Sequence, residues 1–198
     1  MSGPDSSGAP RGLNGLLSAA VKQFRLRRAA KRIPPGSAVL DLGCGLCELI
    51  PMLSQPVDYL GVERNEWMFE RARRLFPGAS FVMADLEDPQ FIPPVLVDRI
   101  VLLAVWEHLH DPAALLRRAR GWSKEGGWFL LTTPSPRAHA LLEWGARLRL
   151  LSRTADEEHE RLWNLDEIAA LAEETGWSVV ERETFLLGLN QWIVLRRV

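Results

Sequence analysis

The run VLDLGCGLCEL, residues 39–49, gathers an aspartate (Asp41), two glycines (Gly43, Gly45) and two thiols (Cys44, Cys47) within seven residues. The apolar run before Asp41 predicts a buried strand. The glycines predict a turn where a ligand can approach bare backbone. Four kinds of chemistry could use such a turn. A phosphate-gripping P-loop needs Lys followed by Ser or Thr after its glycines, and none is present. A dinucleotide turn carries a third glycine where Glu48 stands, and an acid directly before the glycines repels phosphate. Zinc normally takes four ligands, and Cys44 and Cys47 have no second pair to join. A redox role has no support beyond the spacing, so both thiols read as small packing groups. What remains is a cationic or zwitterionic ligand without phosphate.

Further along, Glu63 closes DYLGVE and Asp85 closes ASFVMAD. A carboxylate at a strand end can accept hydrogen bonds from both ribose hydroxyls. Histidine is the natural base near neutral pH. His108, after Glu107, and His159, in ADEEHERLWN, are the two candidates for substrate contact or proton transfer. His110 reads as part of a helix start, and His139 has no supporting context.

The elements that must position these groups alternate. SAVLDLG (37–43) predicts a first strand, with a helix following from about Cys47. DYLGVE (58–63) predicts a second strand, and NEWMFERARRLF (65–76) a helix. ASFVMAD (79–85) and DRIVLLAVWEHL (98–109) supply the third and fourth strands. HDPAALLRRARGW (110–122) opens a helix with Asp111 as N-cap and Pro112 at the first helical position, and Gly121 is its expected stop. GWFLLTTPSP (127–136) is the fifth strand. NLDEIAALAEETGW (164–177) carries a capping box of Asn164 and Glu167. SVVERETF (178–185) and NQWIVLRRV (190–198) are close enough to form a hairpin. The pattern predicts an α/β fold: a Rossmann-like, doubly wound, mostly parallel sheet with a C-terminal antiparallel hairpin and helices on both faces.

Residues 1–11 predict a disordered tail, 12–33 a basic amphipathic helix, and 34–198 one domain in which 134–163 form a substrate-covering insertion. The first 37 residues hold seven basic side chains and one acid, yet the formal net charge of the whole chain is -1. That argues against whole-surface attraction to nucleic acid. No apolar run is long enough to cross a bilayer, and the N-terminus lacks the apolar core of a secretory signal. Two cysteines in 198 residues make no disulfide framework and suit a reducing cytoplasm. RAHALLEWGARLRLLSR (137–153) is amphipathic and could wall an apolar pocket, meet a membrane surface or pack on its own domain.

The turn D-x-G-x-G after a strand resembles the first motif of class I S-adenosylmethionine-dependent methyltransferases, of the small-molecule, methyltransferase-11/23-like type. LGVERN, VMADLED and DRIVLLAVWEHLHDP are similar to that family's later motifs, in register, so the resemblance covers residues 37–198. Cys47 stands where the family commonly has a third glycine. The resemblance implies S-adenosylmethionine as cofactor. It implies contacts from Asp41, Gly43, Cys44 and Gly45 to the amino acid part and from Glu63 and Arg64 to the ribose. Asp85 and Leu86 would meet the adenine, and Val105 and Trp106 would flank the cofactor. It also implies that Gly43→Val blocks the cofactor while sparing the fold.

The implied activity is methyl transfer to a small or medium-sized acceptor, at oxygen, of lipid- or quinone-like character. Two alternatives stay open. An RNA or protein methyltransferase would use the basic helix, although AVWEHL lacks the Asn/Asp-Pro-Pro-aromatic motif of base-amino enzymes. A non-catalytic binding or assembly module would keep the fold and lose the cofactor.

Overall fold

The computed structural model describes residues 13–138 and 162–198. Seven strands form one sheet: β1 (Ala38–Leu42), β2 (Asp58–Glu63), β3 (Ser80–Met83), β4 (Val97–Leu103), β5 (Ser123–Pro134), β6 (Trp177–Phe185) and β7 (Asn190–Arg197). Their order is β3-β2-β1-β4-β5-β7-β6. The first five run parallel, and β7 lies antiparallel between β5 and β6. β1 pairs with β2 on one side and β4 on the other, so the strand order reverses there. A crevice opens at such a switch point, outside the carboxyl ends of the strands.

Successive strand residues serve opposite faces. Leu40, Leu42, Ile100, Leu102, Phe129 and Leu131 turn to one face. There they meet Leu115, Leu116 and Ala119 of α3 (Pro112–Trp122) and Ile168 and Ala172 of α4 (Leu165–Glu174). Val39, Val101, Leu130, Trp192 and Val194 turn to the other face. That face is covered by Leu26 and Ala29 of α1 (Leu13–Ala30) and Ala72 of α2 (Glu66–Leu75). The caps form as their sequences dictate: Asn65 accepts from Met68 N, Asp111 accepts from Ala114 N, and Asn164 and Glu167 close a full capping box.

Three local expectations need correction. No α-helix follows Cys47; the first crossover holds a single 3-10 turn at Ile50–Met52. Cys47 itself sits at φ +56°, and Pro51 and Pro56 bring no N–H to a helical ladder. α3 runs one residue past Gly121, because Trp122 is buried against Phe91 with ring centroids 5.4 Å apart. β5 begins at Ser123, which already pairs with Val97.

The basic helix docks on its own chain. Lys22, Arg28 and Arg32 form ion pairs with Glu48, Glu183 and Glu181. Phe24 stacks on Phe185 at 5.1 Å, and Arg28 lies over the Trp192 ring at 5.0 Å. Among the described residues no helix is long and apolar enough to cross a membrane. The amphipathic run 137–153 lies almost wholly outside the described residues, as does most of the expected insertion.

Leu130 is fully buried at mid-sheet, whereas Leu187, in the β6–β7 turn, is 99% exposed. Leu130→Ala should cost about 2–5 kcal/mol through lost burial and the cavity left behind. Leu187→Ala should stay within about 0.5 kcal/mol of the parent. Urea denaturation of both variants checks the contrast.

Candidate functional site

The parallel strands deliver their last residues to one edge. Gly43 N and Cys44 N both donate to Val62 O, at 2.9 and 3.0 Å, so the turn after β1 is fastened to β2. Gly43 has φ +71°, and a Cβ built there would lie 2.6 Å from Val105 Cγ2. Glycine thus lets the exit of β4 lean against the first turn. Gly43→Val would therefore strike the protein's own Val105, contrary to the expectation that it spares the fold. Ala104, at φ +57°, bends the chain out of β4 into a 3-10 turn, Trp106–His108.

Glu63 ties the site together. Its Oε2 accepts from Gly45 N at 2.9 Å and its Oε1 from Asn65 N at 2.8 Å. Each oxygen keeps a further lone pair for a donor such as a ribose hydroxyl. Asp85 Oδ1 accepts from Glu87 N at 2.9 Å, and its Oδ2 lies 4.0 Å from Arg64 Nη1. Glu87 bonds to the loop that opens α3: it accepts from His110 N and Asp111 N, both at 2.8 Å, and meets His110 Nδ1 at 2.8 Å. Burial pushes the Glu87 carboxyl up, but these bonds outweigh it and hold the group below the usual range. Arg118 fixes the same loop from α3 by donating to Leu86 O and Asp88 O.

These strand ends enclose a cavity of about 160 Å³. Gly43, Glu63, Arg64, Asp85, Leu86, Val105 and His108 line it, all singled out from the sequence, together with Val62, Ala84, Glu87 and Leu109. Asp41, Cys44, Gly45 and Trp106 are not on its wall, and Trp106 is instead fully buried in the core. Asp41 faces inward, where its Oδ2 accepts from Tyr59 Oη at 2.6 Å. Burial pushes its carboxyl up to about 6; the Tyr59 bond opposes this, and Glu63 adds to it.

Cys44 and Cys47 are free thiols. The Cys47 side chain and burial both raise the Cys44 pKa, so Cys44 stays protonated. Among the described residues no three potential ligands group to hold a metal. His159 lies outside the described residues.

One buried acid escaped the sequence reading. Glu107 accepts from Thr133 Oγ1 at 3.0 Å, and burial pushes its carboxyl above the usual range. The only hint was its place between Trp106 and His108; burial of the carboxylate depends on β5 and α1, far away in sequence.

The family model described as "Methyltransferase domain" matches residues 16–182. The ubiquinone biosynthesis O-methyltransferase of Thiobacillus denitrificans is 28% identical over 173 residues, which cover 81% of this chain and 73% of that protein. The protein of the same description from Xanthomonas campestris pv. campestris is 31% identical over 138 residues, 64% of this chain and 56% of the relative. In three dimensions, an S-adenosylmethionine-dependent methyltransferase from Mesorhizobium loti superposes with a TM-score of 0.70 at 20% identity, covering 91% of this chain and all of that one. That likeness is one of fold.

Asp41 generates a test of this geometry. Its carboxyl holds a proton more tightly when folded than its ordinary value of 3.8 allows. Its stabilising contribution is complete below that value and is lost as pH rises to about 6. Asp41→Asn should therefore abolish a fall on the order of 2–3 kcal/mol across that window, read by urea denaturation over a pH series. An unchanged slope would show that Asp41 is not the buried acid.

Proposed function

The chain belongs to the methyltransferase domain family, and on that premise we propose that it methylates an oxygen of a small or medium-sized, quinone- or lipid-like acceptor. The activity is S-adenosylmethionine-dependent methyl transfer. The printed descriptions of the Thiobacillus and Xanthomonas relatives support oxygen as the receiving atom and a quinone-type acceptor.

The observation that carries the site assignment is the meeting of four strand ends around one cavity. The residues there suit the cofactor: carboxylates at Glu63 and Asp85 can accept from hydroxyl and amino donors, and Gly43 keeps the first turn free of a side chain. Glu63 would hold the ribose, with Arg64 beside it. Asp85 and the backbone of Leu86 would hold the adenine. Asp41 would act from behind the turn, through Tyr59 and the shared backbone, while Cys44 and Gly45 shape the segment that faces the amino acid part. When bound, the cofactor supplies a methyl group on a positively charged sulfur. The protein's task is then to bring acceptor and methyl into line and to exclude water. Val105 and His108 wall the end where the acceptor would enter, and His159 remains a second candidate for acceptor contact.

The ion pairs of α1 and the turn after it weigh against an RNA-binding role, because Lys22, Arg28 and Arg32 already face acids of this chain. Free thiols suit a reducing cytoplasm, where we place the protein.

Calorimetric titration tests the reading. S-adenosylmethionine should bind and a nicotinamide dinucleotide should not. Glu63→Gln should weaken cofactor binding by about 10- to 100-fold, as a charged acceptor gives way to a neutral one. Unchanged affinity would remove Glu63 from the ribose. His108→Ala should lower turnover more than cofactor affinity; equal turnover would leave His108 outside the acceptor site.

A further inference from the structure

A second set of polar groups sits where β4 and β5 end and β7 begins, and the cofactor contacts use none of them. Glu107 lies in the turn leaving β4, between Val105 and His108, which both line the cavity. It is 8% exposed. Thr133 Oγ1 donates to its Oε2, and no other side chain among the described residues donates to this carboxylate. Arg25 reaches in from α1. Its Nε, at 3.0 Å, and its Nη2 both donate to one oxygen, Asn190 Oδ1. That leaves Nη1 for another acceptor. Asn190 pairs with Pro134, the neighbour of Thr133, so Arg25 is held over the same strand ends as Glu107.

The two charges act on each other, yet no ion pair joins them. Desolvating a guanidinium and a carboxylate costs free energy that direct contact would partly offset. Arg25 keeps Nη1 and Glu107 keeps Oε1 without a side-chain partner among the described residues, so a third polar group can engage both. An acceptor hydroxyl fits the chemistry of both sides: Glu107 can accept its proton, and Arg25 can meet the oxygen as it becomes negative.

We propose that Glu107 is the general base for the acceptor and that Arg25 stabilises the negative charge on the attacking oxygen, so that the acceptor is a weakly acidic aryl or enolic hydroxyl. This rests on the methyltransferase reading above. The acceptor O–H bond breaks and its proton goes to Glu107. The oxygen's electron pair forms the bond to the methyl carbon. The carbon–sulfur bond breaks with its pair on sulfur, which becomes neutral, and Glu107 later returns its proton to water. Burial raises the Glu107 carboxyl above its usual range, which makes it a stronger base than an exposed glutamate. The charged or titratable groups acting on it are His108 on its own turn and Arg25 from α1. β5 and β7 contribute Thr133 and Asn190, which do not titrate.

The test uses catechol, whose hydroxyl is protonated at neutral pH, and 4-nitrocatechol, which ionises near it. Glu107→Gln should lower kcat on catechol by about 100-fold or more. Its loss on 4-nitrocatechol should be far smaller, with cofactor affinity and Tm unchanged. The rising limb of the catechol pH profile should vanish in Glu107→Gln and persist in His108→Gln. Arg25→Met should raise KM for 4-nitrocatechol. If Glu107→Gln fails to fold, Glu107→Asp keeps a carboxyl and should retain the limb with reduced kcat; loss of the limb there overturns the proposal. Equal losses on both acceptors overturn it as well, as does transfer to neither while the cofactor binds. Absence of cofactor binding by the parent protein would instead strike the methyltransferase reading.

Discussion

The carboxylate of Glu63 fixes the site on which everything else depends. It stands at the end of β2 and is nearly buried, yet both its oxygens are engaged by backbone N–H groups, one from the glycine turn and one from the start of α2. Removing an ionised group from water is costly unless its lone pairs are met. Here they are met by two segments that would otherwise have no reason to converge. The turn after β1 is thereby held in one shape before any ligand arrives, with free lone pairs left on the group that holds it. Such preorganisation lowers the entropic cost of binding.

The same economy of contacts explains the closeness of β1 and β4. With no side chain at Gly43, Val105 packs against the turn itself. Ala104 adopts a left-handed conformation to bring the chain there. Backbone of that kind costs an L-residue on the order of 1–2 kcal/mol, and it persists where surrounding structure over-determines it. β1 and β5, hydrogen-bonded on either side of β4, provide that determination.

The sequence made the succession of strands and the cap residues readable because both rest on short-range patterns: the apolar run VLDL, Asp111 before Pro112, Asn164 three residues before Glu167. The cavity wall was readable for a related reason, since Glu63 ends β2, Asp85 and Glu87 follow β3, and parallel strands end on one side. Long-range compensation was not readable. Cys47 looked like a helix start, but the prolines and the left-handed turn prevent one. Asp41 looked ligand-facing from its neighbours alone; Tyr59, 18 residues away, turns it inward. Glu107 was named only as the neighbour of His108; its burial and the hydrogen bond from Thr133 come from elements distant in sequence. The basic helix looked available to an acidic partner because its partners, Glu181 and Glu183, lie at the far end of the chain.

That last arrangement bears on the order in which the molecule is made. α1 leaves the ribosome well before the side chains that receive it, Phe185, Glu181, Glu183, Asn190 and Trp192. Its apolar stripe must wait through the synthesis of almost the whole sheet. Contacts of such long sequence separation are slow to close, because loop entropy is lost before they form. The helix is thus the latch of the fold rather than its seed. A chain released before β7 is complete would carry that stripe exposed, a ready target for chaperone capture or aggregation.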